Sequence, residues 1–462
     1  MTGRLRLLGS YAWTRARRWP SPEALAAWQE RQVVRHLAFV AARSPFHRER
    51  FADALAGGDW RTVPTVGKAE TMAHFDRANT AGVRLEDALA VALRAERDRD
   101  FAPLLPGGIA VGLSSGTSGG RGVFLASPVE RDRWAGAILA RVLPEGGLAR
   151  RHRVAFFLRA SSALYARVAS RRVAFAYHDL LDPFDGHVAR LAARPPTILV
   201  APPSVLRLLA AEVEAGRLRV APERVVSVAE VLDDVDRVAI ERAFGQRLHE
   251  VYQATEGFLG ATCARGTLHL NESHLVVQKA WIDRAARRFL PVVTDFSRRT
   301  QPVLRHLLDD VLVERAEPCP CGSAFTAIER VDGRRDDAFV LPRRGGGEAG
   351  EPAPAVTVFA DFIRRAVLLG AARADAYTAH QRADGSVAVS VSVPAGERAA
   401  SEAGVRAELD RLWATVGAEP PRVSFVAPPP AALSAVKLRR VTRERPPGER
   451  PPGERPPGER PP

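Results

Sequence analysis

A stretch rich in glycine and hydroxyl side chains, residues 112–124, constrains this chain more than any other segment. It reads GLSSGTSGGRGVF and lies between two short apolar runs, 108–111 and 123–126, that are typical of β-strands. Such a turn exposes backbone N–H groups and hydroxyls, the donors that wrap a polyphosphate, and glycine lets the backbone approach the anion closely. It is not a Walker loop, because that motif requires a lysine that is absent here. A flexible surface turn is the alternative interpretation.

Composition limits the partners of this chain. Its 462 residues are enough for two or three domains, and 46% hydrophobic with 26% charged residues is typical of a folded enzyme. The net charge is +14, but lysine occurs only at positions 68, 279 and 437, and the arginines are spread along the chain. A polyanionic small ligand suits a basic protein equally well. We therefore expect such a ligand and no nucleic-acid partner, and nucleic-acid binding through the arginines is the alternative.

The cysteines and the N-terminus indicate a compartment. Three cysteines are too few for a disulfide framework, which favours a reducing environment. The basic N-terminus lacks an uninterrupted apolar core and a small-residue cleavage site, so it is not a signal peptide. No window approaches the roughly 18 apolar residues that a spanning helix needs. We expect a cytoplasmic protein without a membrane partner.

Strand and helix patterns alternate after the glycine-rich stretch. Buried-strand runs occupy 154–158, 173–176, 198–201, 225–228 and 248–252, and helical patterns occupy 130–143, 203–215 and 235–244. This alternation predicts an α/β fold with parallel sheets covered by helices. Upstream, the pattern predicts one helix over 21–55, capped by Ser21 with Pro22 in its first turn. Residues 80–105 are mixed and polar.

The chain changes character beyond Asp310. Charge and glycine at 330–337 and a glycine- and proline-rich stretch at 342–354 indicate a hinge and an insertion. Helical patterns at 358–369 and 399–416, with a strand at 387–393, then predict a small α+β domain. From residue 445 the sequence repeats Arg-Pro-Pro-Gly-Glu, which cannot form a core. We predict a large domain 1–335, a small C-terminal domain 336–444 and a disordered tail 445–462.

A second motif, EVYQATEG at 250–257, ends one of the predicted strands. Ligands of open α/β sheets bind at the carboxyl ends of strands, and Tyr252, Thr255 and Glu256 would stand there together. A carboxylate in this place can hold Mg²⁺ against phosphate oxygens. A helix cap after a strand is the alternative.

These two motifs resemble those of the adenylate-forming superfamily, which includes acyl-CoA synthetases, peptide-synthetase adenylation domains and luciferase. The family's loop reads [ST]-S-G-T-[TS]-G and usually ends in Pro-Lys; here Arg121 stands in that place and is expected to contact phosphate instead. The resemblance implies that ATP phosphates are bound by a set of loop residues: Ser114, Ser115, Gly116, Thr117, Ser118 and Gly119.

The second motif resembles the family's Y-G-x-T-E, with Gln253 in place of glycine. The resemblance implies that Tyr252 lies beside the adenine, that Thr255 contacts phosphate and that Glu256 binds Mg²⁺. The segment 227–230, Ser-Val-Ala-Glu, is similar to the Gly-Ala-Glu-Pro segment that lines the acyl and adenine pockets, which assigns Glu230 to the nucleotide site.

Two further motifs bear on the ribose. The segment 301–310, QPVLRHLLDD, resembles P-x-[IL]-R-Y-R-T-G-D, so that Asp310 would accept from both ribose hydroxyls. Asp309 occupies the glycine position, which leaves the register open by one residue. GRRDD at 333–337 matches the G-R-x-D-D hinge, with Arg334 on the ribose and Asp336 as the pivot. A run of Arg and Asp is otherwise a solvated face.

Lys437, in SAVKLRR, completes the set. The resemblance makes it the catalytic lysine, which stabilises the negative charge of the attacking carboxylate and the α-phosphate. A compact ammonium differs chemically from the guanidinium found at almost every other basic position of this chain. A surface lysine is the alternative.

Three segments indicate a branch of the superfamily. They resemble the phenylacetate-CoA ligase and coenzyme F390 synthetase group, and within it the F390 synthetase-related adenylate-forming proteins. The three segments are the hinge RVDGRRDD, EPCPCG at 317–322 and VPTVGKAETM at 63–72.

The cysteines form a metal-binding pattern with histidine. Two segments supply a Cys₃His set suited to a tetrahedral structural Zn²⁺. One contains Cys263 and His269, and the other contains Cys319 and Cys321. His274 could replace His269. Three ordinary buried cysteines are the alternative.

The sequence thus predicts an ATP- and Mg²⁺-dependent ligase that converts a carboxylic acid to an acyl-AMP and passes it to a thiol of CoA or an acyl carrier protein. The branch and a set of aromatic residues in the middle of the chain favour an aromatic acid: Phe156, Phe157, Tyr165, Phe175 and Tyr177. Adenylyl transfer to a phenolic hydroxyl, as in F390 formation, and a relative that binds nucleotide without turnover are the alternatives.

Overall fold

A computed structural model describes residues 3–113, 122–345, 354–394, 396–428 and 439–445. They form two compact units. The described residues of Met1–Leu308 and Leu312–Arg330 belong to the first, and those of Asp309–Val311, Val331–Ala432 and Leu438–Pro462 to the second.

The helices of the first unit precede and interrupt its strands. They are α1 Gly3–Ala16, α2 Pro22–Ala41, α3 Pro45–Arg50, α4 Ala52–Leu55, α5 Lys68–Ala73, α6 Phe75–Ala78, α7 Leu85–Asp98, α8 Pro128–Val142, α9 Phe184–Ala193, α10 Pro203–Glu214 and α11 Asp234–Phe244. No helix among the described residues is long and apolar enough to cross a membrane.

The strands of the first unit form a small hairpin and one large sheet, and two of them, β13 and β14, continue into the second unit. The strands are β1 Ala110–Leu113, β2 Val123–Ala126, β3 His152–Leu158, β4 Val173–Asp179, β5 Ile198–Ala201, β6 Arg224–Val228, β7 Leu248–Ala254, β8 Gly257–Thr262, β9 Leu268–Leu270, β10 Leu275–Asp283, β11 Arg288–Asp295, β12 Val303–Leu307, β13 Asp310–Glu314 and β14 Ala327–Arg334.

The large sheet has a parallel half and an antiparallel half. Strands β4, β3, β5, β6 and β7 are neighbours in that order and run parallel. From β7 onward the sheet continues through β8, β9, β14, β13, β11 and β10, with β12 also on β11, and the registered pairs there are antiparallel. The predicted α/β fold with a parallel sheet is confirmed, and the antiparallel half adds to it.

Both faces of the parallel half are covered, as its continuous apolar runs predict. On β5, Leu199 packs with the apolar faces of α9, α10 and α11. Its neighbours Ile198 and Val200 pack on the opposite side, with residues of α8 such as Ile138. Burial of each such side chain contributes roughly 1.5–3 kcal/mol.

The predicted helix over 21–55 is wrong in extent. Ser21 caps α2 as expected, because its hydroxyl accepts from the N–H of Ala24 at 3.2 Å. The helix ends at Ala41, however, and Ser44 caps a new helix that begins at Pro45. Proline has no N–H to donate and clashes with the preceding turn, so α2 ends before Pro45 and α3 begins there. A second break at Phe51 separates α3 from α4.

Helix α7 lies in the stretch 80–105 for which the sequence analysis assigns no element. Its fully buried residues are the small Ala88 and Ala92, and Leu85 and Leu89 pack half-buried on the same core. These apolar residues do recur at helical spacing, and the prediction overlooked them because charged residues are interspersed among them.

The second unit is a small α+β structure. Its own elements are β15 Phe339–Pro342, β16 Ala355–Val358, α12 Ala360–Gly370, β17 Ala376–Gln381, β18 Val387–Ser392, α13 Arg398–Val416, β19 Val423–Phe425 and β20 Val441–Arg443. One sheet has the order β19, β18, β17, β20, and β15 pairs with β16. Trp413, Tyr377 and Phe339 lie at the centre of its core and are fully buried.

Candidate active site

A cleft in the first unit contains the second motif. It lies where the turn from β7 to β8 meets β12, the start of α5 and the start of β2. Thr255 and Glu256 line it, together with Lys68, Arg298 and His306. The motif thus stands at the carboxyl end of a parallel strand, the place where open α/β sheets bind ligands.

The carboxylate of Glu256 has two defined neighbours. The hydroxyl of Thr255 donates to its Oε2 at 2.9 Å, and Nε2 of His306 lies 3.7 Å from its Oε1. Burial lowers the pKa of His306 in spite of this carboxylate. At neutral pH the contact therefore joins a carboxylate to a neutral imidazole.

Two polar side chains fasten β2 to this cleft. Gln301 accepts from the N–H of Leu125 at 2.8 Å and donates to the carbonyl of Val123 at 3.0 Å. Arg298 donates to the carbonyls of Thr255 and Leu125. The strand that leaves the glycine-rich stretch is thereby held beside Glu256. Sequence reasoning missed both residues, although Gln301 opens the motif that was assigned to the ribose.

The glycine-rich stretch is flanked by paired strands, as predicted. Strands β1 and β2 are antiparallel and their last registered pair is Leu113 with Val123. The predicted phosphate-binding residues Ser114, Ser115, Gly116, Thr117, Ser118, Gly119 and Arg121 lie outside the described residues, and so does Lys437.

Tyr252 and Glu230 belong to neighbouring strand ends. Tyr252 is half-buried on β7, and Glu230 follows β6, which runs parallel to β7. The carboxylate of Glu230 accepts from the N–H of Ser204, in the first turn of α10, at 3.2 Å. Ala229, which joins the end of β6 to Glu230, has a φ of +69°, a left-handed conformation that is strained for a residue other than glycine. Strain of this kind clusters at binding sites.

The predicted ribose contacts lie together in the second unit. Nε of Arg334 is 3.7 Å from Oδ1 of Asp310, and Nη2 of Arg335 is 3.0 Å from Oδ1 of Asp309. The N–H of Arg335 also donates to the carbonyl of Asp309 at 2.7 Å. Asp336, the predicted pivot, follows in a single 3₁₀ turn, Arg335–Asp337.

The predicted metal ligands come together in the first unit. One ligand atom from each of Cys263, His269, Cys319 and Cys321 lies within 4.8 Å of all the others. The Sγ atoms of Cys263 and Cys319 are 3.8 Å apart, and Sγ of Cys321 is 3.4 Å from Nε2 of His269. Tetrahedral bonds of about 2.3 Å to sulfur and 2.0–2.1 Å to nitrogen require edges of about 3.8 and 3.5 Å. The four residues fit Zn²⁺.

The surroundings of this cluster suit a metal as well. Nδ1 of His269 lies 3.0 Å from the carbonyl of Phe325, a hydrogen bond that leaves Nε2 for a metal. Cys263 and Cys319 each begin a tight turn in which the N–H of a glycine three residues on donates to the cysteine carbonyl. Those glycines, Gly266 and Gly322, have φ values of +83° and +71°, which glycine adopts without strain.

His274 is not part of the cluster. Its Nδ1 lies 2.8 Å from the hydroxyl of Ser273 and its ring meets Trp13 edge-on. Burial lowers its pKa to about 3. Of the two histidines that the sequence offers, the structure brings His269 to the cysteines.

Several of the aromatic residues form one cluster. The ring of Phe156 lies 5.0 Å from that of Tyr165 and 5.5 Å from that of Phe175, and Trp134 meets Tyr165 at 5.7 Å. All four are half-buried. Phe157 points to the other side of β3, is fully buried, and stacks on His178.

No family model and no curated protein matches this chain. Solved structures do. The fold is similar to that of 2-hydroxyisobutyryl-CoA ligase in the postadenylation state with 2-HIB-AMP, over 92% of this chain and 89% of that one, with a TM-score of 0.66 and 17% identity. The same ligase with 2-HIB-AMP and CoA in the thioesterification state gives a TM-score of 0.53 at 18% identity, over 91% and 90% of the chains.

A third similar structure is the GH3.15 acyl acid amido synthetase, with a TM-score of 0.53 and 14% identity over 85% of this chain and 84% of that one. The similarity to these enzymes extends over most of each chain. The chain therefore has the fold of the adenylate-forming ligases.

Proposed function

We propose that this protein is an ATP-dependent ligase that activates a carboxylic acid as an acyl-AMP. A carboxylate oxygen of the acid attacks the α-phosphorus, the bond from that phosphorus to the bridging oxygen breaks, and pyrophosphate leaves. The observation that carries the proposal is the Thr255–Glu256 pair at the carboxyl end of β7, beside the strand that leaves the glycine-rich stretch. Catalysis of this kind depends on positioning and on stabilisation of charge.

Glu256 is the proposed Mg²⁺ ligand. Mg²⁺ is usually held by one or two carboxylates together with phosphate oxygens, and the side chain of Glu256 is mostly buried in the cleft with one oxygen fixed by Thr255. The residues present fit the ion. When bound, it would neutralise charge on the phosphates. The hydroxyl of Thr255 has a single proton, which it donates to Glu256 here and would donate to a phosphate oxygen in the nucleotide complex.

The remaining assignments rest on the resemblance. Tyr252 and Glu230 would bind the adenine side of the nucleotide, and the loop residues 114–119 with Arg121 its phosphates. Asp310 and Arg334 would bind the ribose, Asp336 would be the pivot of the second unit, and Lys437 would stabilise the charge that develops during adenylation.

The acyl group would then pass to a thiol. The thiolate of CoA or of a carrier protein attacks the acyl carbon, and AMP leaves. We propose an aromatic acid as the substrate, because the resemblance points to the phenylacetate-CoA ligase branch and because Phe156, Tyr165 and Phe175 form a half-buried cluster of rings. Aromatic faces of this kind favour planar apolar ligands.

We also propose a structural Zn²⁺ on Cys263, His269, Cys319 and Cys321. All four tetrahedral positions would be taken by protein ligands, which is typical of a structural rather than a catalytic site. The ion would join the turn after β8 to the segment that precedes β14.

Pyrophosphate release with Mg·ATP, measured with benzoic, hydroxybenzoic, phenylacetic and cinnamic acids, tests the proposed activity. Release that depends on one class of acid supports adenylation and identifies the substrate. If ATP binds but no acid causes release, adenylation of these acids is excluded. A phenolic acceptor, assayed for covalently attached AMP, then tests adenylyl transfer of the F390 type.

A further inference from the structure

Lys68 is held in the cleft by backbone contacts on either side of it. It is the first residue of α5. Two residues earlier, the N–H of Val66 donates to the carbonyl of Arg305 at 3.1 Å, and the carbonyl of Val66 accepts from Leu307 at 2.9 Å. At the end of α5, Sδ of Met72 accepts from the N–H of Val123 at 3.4 Å. The start of α5 is therefore fixed to β12 and its end to β2.

The side chain of Lys68 lies on the backbone of Gly122. A Cβ atom built at Gly122 would come within 2.5 Å of Cε of Lys68 and within 3.5 Å of its Nζ. Real Cβ atoms essentially never approach another atom to 2.5 Å, so a side chain at position 122 would push the end of the Lys68 side chain out of this place. The ammonium group thus lies where the chain leaves the glycine-rich stretch, in the cleft that Thr255 and Glu256 also line.

The other lysine in the described residues has a different role. Lys279 donates to Glu314 at 2.6 Å and lies over the ring of Trp281. Arg298, the second cation in the cleft, donates to two backbone carbonyls, which makes it a positioning residue. Among the described cations of the cleft, Lys68 is the one whose ammonium group lies against the glycine at the loop exit.

We propose that Lys68 binds the β- and γ-phosphates of ATP and the pyrophosphate that is released. This inference rests on the proposed function. Helix α5 would then supply the lysine that residues 112–124 lack, and Arg121 would not be the main cationic contact of the phosphates. Lysine binds phosphate as a compact point charge, and its ammonium needs less room beside a glycine backbone than a planar guanidinium.

Calorimetric binding of Mg·ATP and of AMP to the full chain tests the proposal. Lys68→Met should weaken Mg·ATP binding about tenfold to a hundredfold, the effect of losing a charge-assisted hydrogen bond. AMP has no β- or γ-phosphate, so its affinity should stay within about twofold of the wild type. Lys68→Arg should recover part of the loss, and Lys279→Met should change neither affinity. Arg121→Gln should weaken Mg·ATP binding less than Lys68→Met.

Three results would overturn the proposal. If Lys68→Met bound Mg·ATP as tightly as the wild type, the proposed phosphate contact would be excluded. If Lys68→Met lost the same affinity for ATP as for AMP, the role of Lys68 would be merely structural. A larger effect of Arg121→Gln would return the contact to the loop. In each of these cases the proposed function would still stand, provided that the wild-type protein releases pyrophosphate in an acid-dependent reaction. A wild type that does not bind Mg·ATP overturns both.

Discussion

Nε of Arg334 lies 3.7 Å from Oδ1 of Asp310, and just outside the two strands Arg335 is paired with Asp309 at 3.0 Å. The two Asp–Arg pairs are adjacent, and the resemblance leaves the register of the ribose-binding aspartate open by one residue. The pairing of Asp310 with the residue that is also assigned to the ribose favours Asp310.

Replacing these aspartates one at a time settles the register. Asp310→Asn should lower kcat/KM for ATP about tenfold to a hundredfold, because an amide has one acceptor oxygen where a carboxylate has two, and carries no charge. The matched variant Asp309→Asn should leave kcat/KM within a fewfold and lower only thermal stability. Steady-state pyrophosphate release measures both. The reverse order of effects would move the ribose contact to Asp309.

Glu256→Gln should reduce adenylation by about a hundredfold, because it removes the carboxylate that we assign to Mg²⁺ while preserving the size of the side chain. The apparent affinity for Mg²⁺, titrated at fixed ATP, should fall as well. Glu223→Gln is the control: it removes an exposed carboxylate that pairs with Arg150 at 2.8 Å. An unchanged Mg²⁺ dependence in Glu256→Gln would refute the assignment.

The metal cluster predicts bound zinc in the purified protein. We expect about one Zn²⁺ per chain by elemental analysis, and Cys319→Ser or His269→Asn should lower it to near zero together with the melting temperature. His274→Asn should keep its zinc, because that ring lies against Trp13 and Ser273 rather than the cysteines. Wild-type protein without metal, or zinc lost in His274→Asn alone, contradicts the site.

The sequence predicts those features of the fold that depend on local pattern. The apolar run 198–201 predicts a strand buried on both faces. The chain has only three cysteines, and they identify the metal-binding cluster, although the sequence leaves its histidine open between His269 and His274. The contacts of Lys68 and Gln301 leave no such signal. Each joins segments that are distant in the sequence, Lys68 with Gly122 and Gln301 with β2, and no periodicity within either segment encodes its partner.

Lys437 lies outside the described residues, and its role follows from the resemblance alone. Lys437→Ala should lower acid-dependent pyrophosphate release by a hundredfold or more, on the order of the loss of a positioned cation in a transition state. It should still bind ATP, and it should form thioester from chemically prepared acyl-AMP at the wild-type rate. Lys279→Ala, at a lysine that pairs with Glu314, is the control. Normal adenylation by Lys437→Ala would exclude the role.

Two buried histidines make the stability of the first unit depend on pH. His36 and His47 are each 3% exposed, and neither ring nitrogen of either has a hydrogen-bond partner among the described residues. Burial, reinforced by the charge of Arg50, lowers the pKa of His47 to about 3. Burial, with the charge of Arg299, lowers that of His36 to about 4.

Between pH 6.5 and these values the unfolded chain binds protons that the folded chain does not, so stability falls as the pH falls. Each histidine should remove about 2 kcal/mol of unfolding free energy between pH 7 and pH 5. Urea unfolding at the two pH values measures the loss. In His47→Leu this loss of unfolding free energy between pH 7 and pH 5 should be smaller by about 2 kcal/mol, because leucine has nothing to protonate. Among the described residues, the ring of His47 makes no hydrogen bond that the replacement would remove. His74→Leu, at an exposed histidine of the same helical region, is the matched control. An equal loss in wild type and His47→Leu would show that His47 takes up its proton in the folded protein.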